Sequence, residues 1–164
     1  MWSISGVVEN AKNQKVFISI RGKIDSTTTN NKGEFAFKRE NQSSEFVKLS
    51  LQNTVNPYLH LFADSICKIE ITINDTNNIS TAEIKNSKES QQLQDLANWH
   101  STQKAKYDSL ANSYNTLKQQ TERIDTLCLL YIAKIDSLNE KHYGYIKKYV
   151  SKNYFTPPLQ QLVL

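Results

Sequence analysis

The chain has 164 residues, a formal net charge of +4, and 38% apolar and 22% charged residues. That length allows one compact domain or two small units. No apolar run approaches the roughly 20 residues of a membrane-spanning helix, the composition is not that of a disordered chain, and so small a charge excess does not mark a nucleic-acid binder.

The charge divides as 10 basic against 9 acidic residues before Lys88, and 10 against 7 from Lys88 onward. The excess sits near the end, in Lys141, Lys147, Lys148 and Lys152, and reads as a solvated helix face. Met1-Trp2 opens without the charged and apolar regions of a signal peptide, so the start reads as a trimmed mature end or an expression boundary.

Trp2, Ile4 and Gly6 alternate with Ser3 and Ser5, the pattern of a half-buried first strand. After the polar turn Glu9–Gln14 comes a second strand with Val16, Ile18 and Ile20. Gly22 breaks it, and Ile24–Thr29 reads as a third extended segment. Asn30-Asn31-Lys32-Gly33 is a turn signal, because Asn and Gly tolerate positive φ. Phe35 and Phe37 then share one face of the next strand. Further strands are expected at Phe46–Leu51, Tyr58–Phe62, Lys68–Ile73 and Ile79–Ile84. Short strands at this spacing predict an antiparallel sandwich or open barrel of about seven or eight strands.

Three of the four glycines and one of the three prolines precede Ser87; from Lys88 to Thr156 only Gly144 interrupts. Ser87 is the expected N-cap of a helix. Leu93, Leu96, His100, Gln103, Tyr107, Leu110, Tyr114 and Leu117 then recur at spacings of three and four. A second such stripe holds Ile124, Cys128, Tyr131, Ile135, Leu138, His142, Tyr145 and Tyr149. The polar stretch Lys118–Arg123 lies between them, and a hairpin buries both stripes where one rod would leave them in water. Pro157 and Pro158 end the second helix or its following loop, and Leu159–Leu164 is a short apolar tail.

The expected fold class is therefore α+β, an antiparallel β-sandwich or open barrel followed by a long two-helix hairpin. Its expected divisions are 1–87, an antiparallel β unit; 88–156, a helical hairpin turning near 118–123; and 157–164, the start of a linker to an absent C-terminal domain.

Residue chemistry assigns no catalytic, cofactor-binding or metal-binding residue, and no cofactor. The four glycines stand too far apart for a phosphate loop, and no nucleophile elbow is present. Cys67 and Cys128 are the only cysteines; isolated cysteines are most often buried small hydrophobes, and a disulfide between them stays open. His60, His100 and His142 are the only histidines. A hairpin would bring His100 and His142 opposite each other, where two imidazoles without a third ligand make a poor zinc site. Asp108, Asp125 and Asp136 fall on polar helix faces. Seven of eight tyrosines and Trp99 lie in the helical half, a concentration that serves packing more often than ligand stacking.

Asp followed by Ser or Thr and then by an apolar residue or Thr recurs at Asp25-Ser26-Thr27, Asp64-Ser65-Ile66, Asp108-Ser109-Leu110, Asp125-Thr126-Leu127 and Asp136-Ser137-Leu138. This resembles the O-glycosylation acceptor pattern of exported Bacteroidota proteins, and amphipathic helices also produce it unaided.

The order of segments resembles the N-terminal domain of unknown function of Bacteroidota thioredoxin-like lipoproteins of the thiol:disulfide interchange type. The residues that carry the resemblance are Trp2–Gly6, Ile24-Asp25-Ser26, Asn31–Lys38, Val47–Leu51, Ile69–Ile73, Ala82–Ser87, with Asn86 where the family usually has glycine, and Tyr149–Asn153 before Thr156-Pro157. The resemblance implies export to the periplasm or an outer-membrane-anchored envelope, with the membrane reached only through a lipid anchor that this chain lacks. It further implies a thioredoxin-like redox domain beyond Leu164. No redox residue carries over, because the chain has no CxxC.

The expected function is accordingly a non-catalytic accessory or interaction module of an exported thioredoxin-like protein, positioning or dimerising a following redox domain. The partners would be that domain or another protein, with a homodimer through the helices as an option and nucleic acid excluded. The alternative is a cell-surface ligand- or glycan-binding module using its tyrosines and Trp99.

Overall fold

Eight strands precede Ser87 in the computed structural model, which describes residues 1–40, 43–54, 58–64, 66–120 and 122–152. In chain order they are β1 (Trp2–Val8), β2 (Lys15–Ile20), β3 (Lys23–Thr28), β4 (Glu34–Arg39), β5 (Glu45–Leu51), β6 (Leu59–Ala63), β7 (Lys68–Ile73) and β8 (Glu83–Lys85). Two helices follow, α1 (Lys88–Lys118) and α2 (Ile124–Lys152). The fold is α+β as expected, with two four-stranded sheets, β4-β1-β7-β8 and β3-β2-β5-β6, neither of them closed. The expected exit at Asn153–Pro158 and the linker 157–164 lie outside the described residues.

Alternation places Trp2, Ile4 and Val8, Ile69, Ile71 and Ile73 of one sheet in a single apolar cluster with Val16, Ile18, Val47, Leu49, Leu59 and Leu61 of the other. Each such side chain contributes roughly 1.5–3 kcal/mol on burial. The Trp2 indole, fully buried, donates Nε1–H to the buried Glu45 carboxylate at 3.4 Å, so the polar edge of the ring is satisfied. Gly6 keeps its place because a Cβ there would meet the Ile71 carbonyl oxygen at 2.4 Å and the Phe35 ring at 2.8 Å.

Tight turns set the registers. Arg21 and Gly22 both have positive φ (49° and 79°) between the paired Ile20 and Lys23, a two-residue hairpin of the primed kind. Asn30 organises the expected turn into β4: its Oδ1 accepts from the amides of Lys32 (2.8 Å) and Glu34 (3.0 Å). Thr29, buried, accepts from the Gln14 amide and donates to the Ala11 carbonyl, tying down the first loop.

Two local expectations are corrected. The β1–β7 ladder is parallel, not antiparallel. The β5–β6 hairpin lies in the other sheet, and β7 crosses back through the Asp64–Cys67 turn in the direction of β1, where the Cys67 carbonyl accepts from the Ser3 amide. Ile79–Ile84 is not one strand: Ile79–Thr81 is a 3-10 turn and only Glu83–Lys85 pairs. Ile79 is fully buried there, while the turn leaves the Ser80 carbonyl free to receive side chains from α1.

Asn86 has φ +62°, the left-handed region that glycine or asparagine adopts at least cost. Ser87 then caps α1, its Oγ accepting from the Ser90 amide at 3.2 Å. The first turns of α1 bind the edge of β6 through polar side chains. Ser90 Oγ accepts from the Phe62 amide (2.9 Å) and donates to the Phe62 carbonyl (3.2 Å); Gln94 Oε1 accepts from the His60 amide (2.9 Å). Gln94 and Asn98 also donate to the Ser80 carbonyl. The chain divides into two units, Met1–Asn98 with both sheets and Trp99–Leu164 with the hairpin, and the division falls inside α1.

Candidate functional site

Within the second unit, Trp99–Lys118 of α1 and α2 form the expected antiparallel hairpin. Tyr107 donates its hydroxyl to Asn139 Oδ1 at 2.8 Å, and the Tyr114 hydroxyl lies 3.0 Å from Cys128 Sγ. Tyr114 packs on Tyr131 with ring centroids 4.5 Å apart, and Trp99 stacks on Tyr145 at 3.9 Å. Every residue of the second stripe except Ile124 is at least half-buried. The Cys128 contact, with burial and the nearby Tyr131, raises the Tyr114 hydroxyl above its usual range.

One segment of α2 does not fit a two-helix seam. Leu127-Cys128-Leu129-Leu130-Tyr131-Ile132-Ala133 is apolar around the whole circumference of the helix. Leu127, Cys128 and Tyr131 turn inward, which leaves Leu129 69%, Leu130 58% and Ile132 53% exposed. A helix apolar on all sides is normally covered on all sides, and consecutive exposed apolar residues are uncommon without a contact to make. This outward face of α2 is the candidate site, and its chemistry is that of a contact surface.

The residues singled out in the sequence come together only in part. His100 and His142 do meet, with ring centroids 5.9 Å apart. His142 also lies 4.9 Å from the Trp99 ring, and its Nδ1 is buried without a hydrogen-bond partner. Among the described residues no group of three or more His, Cys, Asp or Glu side chains is placed to hold a metal ion. Cys67 and Cys128 are both free thiols, one in each unit; burial pushes the Cys67 thiol up, which leaves it less of the nucleophilic thiolate. Asp108 is exposed and paired with Lys104 at 2.6 Å, and Asp125 and Asp136 are exposed. Ser26, Ser109, Thr126 and Ser137 of the repeated Asp-Ser/Thr pairs are exposed too; Ser65 lies outside the described residues. A shallow groove of about 330 Å³ crosses the outer face of the first sheet between Ser5, Glu34, Glu70 and Lys85, with no grouping of reactive side chains.

His60 was not connected to any partner in the sequence, and the sheet register supplies one: it stands directly opposite Lys48 on the outer face. Burial and then the Lys48 charge lower its pKa, and its Nδ1 is buried without a partner. The folded state therefore disfavours the protonated ring. Unfolded, the ring takes its proton near its ordinary value of about 6.5, so stability is fully present above that pH and declines as pH falls toward the lower folded value. Urea midpoints measured at about pH 7.5 and pH 5 should show a larger acid loss for the native chain than for His60→Gln. Equal losses would remove His60 from the acid response.

Among the described residues no helix is long and apolar enough to cross a membrane. No curated protein and no solved structure matches the chain. The model of a domain of unknown function (DUF4369) matches residues 2–93, which span both sheets and the opening of α1, and the chain belongs to that family.

Proposed function

We propose that this chain is a non-catalytic accessory module of an exported thioredoxin-like protein, in which the helical hairpin makes protein contacts that position or dimerise a redox domain. The observation that supports it is the outward face of α2, where Leu129, Leu130 and Ile132 stand exposed in a helix segment without a charge from Thr126 to Ala133. The family membership is compatible with it, and the thioredoxin-like and periplasmic assignments rest on the resemblance of segment order. The alternative, a ligand- or glycan-binding module built on Trp99 and the tyrosines, meets an opposing observation. Trp99, Tyr107, Tyr114, Tyr131 and Tyr145 spend their faces or hydroxyls on one another and on seam partners.

Two measurements test the proposal. The purified chain should reduce insulin disulfides no faster than the dithiothreitol background. Fused ahead of a thioredoxin-like domain from the same source, it should show slowed amide exchange across Leu127–Ala133 relative to the chain alone, the latter held at a concentration at which it is monomeric. Turnover above background, or unchanged exchange in the fusion, would sink it.

A further inference from the structure

Two histidines of the hairpin have no part in the contact face. His100 lies 18 residues before the last residue of α1, and His142 lies 18 residues after the first residue of α2. Equal distance from the turn brings them level, with ring centroids 5.9 Å apart and planes at 72°. His142 is half-buried, and its Nδ1 is buried without a hydrogen-bond partner. Its other neighbours Trp99, at 4.9 Å, and Tyr143, at 6.0 Å, meet it as rings. A buried nitrogen of that kind is either an uncompensated loss or a position for an ion.

Two imidazoles bound to one ion at about 2.0–2.1 Å have their centroids about 4.5–6.4 Å apart, for N–metal–N angles between about 90° and 180°. The separation of 5.9 Å already lies in that interval. His100 is exposed, so its ring is able to turn a nitrogen toward a shared ion without repacking the seam. Lys104, the cation one turn from His100, is held by Asp108 at 2.6 Å. Lys141 precedes His142 in the chain and lies about 100° round the helix from it. The donor set decides which ion fits. Structural zinc takes four protein ligands, and among the described residues no third His, Cys, Asp or Glu joins the pair. Nickel and copper ions favour imidazole and accept square-planar or tetragonal arrangements, in which water fills the positions that the protein leaves open.

We infer that His100 and His142 form a two-imidazole site for a divalent transition ion of the nickel–copper kind, which fastens α1 to α2. The site goes beyond the accessory reading and does not depend on it. An ion there ties the helices about 27 Å from the turn that already joins them, at 1.5 Å per residue. One turn constrains only the end it connects, so a second tie at that distance holds the whole seam in register. Coordination at Nδ1 of His142 would also supply the partner that the buried nitrogen lacks.

The test is isothermal titration of the full chain with nickel chloride, followed in parallel by tryptophan emission, because Trp99 lies 4.9 Å from His142 and a paramagnetic ion bound there quenches it. Nickel is the probe because it does not oxidise the free thiols of Cys67 and Cys128. A single ion should bind per chain with a matching loss of emission, and thermal unfolding should move to higher temperature as nickel rises. His100→Ala, at an exposed position, should weaken binding at least tenfold with helix content by circular dichroism unchanged, and His142→Ala should weaken it as much. His60→Gln should leave it unaltered, which separates the pair from unspecific imidazole binding. No binding by the native chain up to about 1 mM nickel, or binding that survives His100→Ala, overturns the inference. Zinc held more tightly than nickel would reveal a third protein ligand and overturn the two-imidazole assignment. Disulfide turnover would overturn the accessory reading and leave this site standing.

Discussion

Replacing Gly33 by alanine is expected to destabilise the β unit by about 2–4 kcal/mol, the sum of two separate costs. Gly33 has φ +79°, where an L side chain costs about 1–2 kcal/mol. An added Cβ would also lie 2.3 Å from the Val8 carbonyl oxygen, so the turn would have to move. Moving it strains the bond from the Val8 amide to the Gly33 carbonyl, 2.9 Å, which joins the end of β1 to the turn before β4. Gly22 provides the control. It has the same φ of +79°, but a Cβ there meets nothing within 4 Å, so Gly22→Ala should carry only the conformational cost. Urea unfolding followed by Trp2 fluorescence, in a Trp99→Phe background, separates the two. Equal losses at both glycines would mean that the Val8 contact costs nothing.

The sequence shows how the β unit is built where each strand alternates, and less where a side chain works through its polar end. Trp2, Ile4, Val16, Ile18, Phe35 and Phe37 were legible as inward residues because period two has no other meaning in so short a run, and all are buried. The Asn30–Gly33 turn and the Ser87 cap were legible because their chemistry is local. The parallel β1–β7 ladder was not. Strand periodicity is the same in both ladders, and the direction depends on which sheet the preceding hairpin joins. The breaking of Ile79–Ile84 was hidden for a related reason: Ile79, Ala82 and Ile84 are apolar at strand-like spacing, yet the segment bends so that the Ser80 carbonyl meets Gln94 and Asn98.

For the candidate site the position is reversed. The inward stripe of α2 was read directly, whereas Leu129, Leu130 and Ile132 stood in the sequence as ordinary members of an apolar helix. They stand out only once the hairpin shows which half of the circumference α1 can cover. The run Leu127–Ala133 was the available signal, since no single stripe can bury seven consecutive apolar residues.

Ser90 and Gln94 lead to the second large effect, because they finish a sheet rather than decorate a helix. β6 is the last strand of its sheet, so one side of its backbone lacks a strand to pair with. Two side chains one helical turn apart stand in for that strand: Ser90 exchanges two hydrogen bonds with Phe62, and Gln94 accepts from the His60 amide. Both residues are buried, Ser90 fully and Gln94 to 2% exposure, so neither their loss nor the orphaned amides can be made good by water without opening the contact. Ser90→Ala and Gln94→Ala should each cost about 1–3 kcal/mol, and the double substitution about 3–5 kcal/mol. The Phe62 and His60 amides should lose exchange protection in the corresponding variants, one each. An apolar seam would tolerate sliding along the helix, whereas a paired donor and acceptor at Phe62 admit one register between β6 and the first turns of α1. Ser90→Ala within 0.5 kcal/mol of the native chain, with Phe62 protection unchanged, would show that α1 is held by its apolar residues instead.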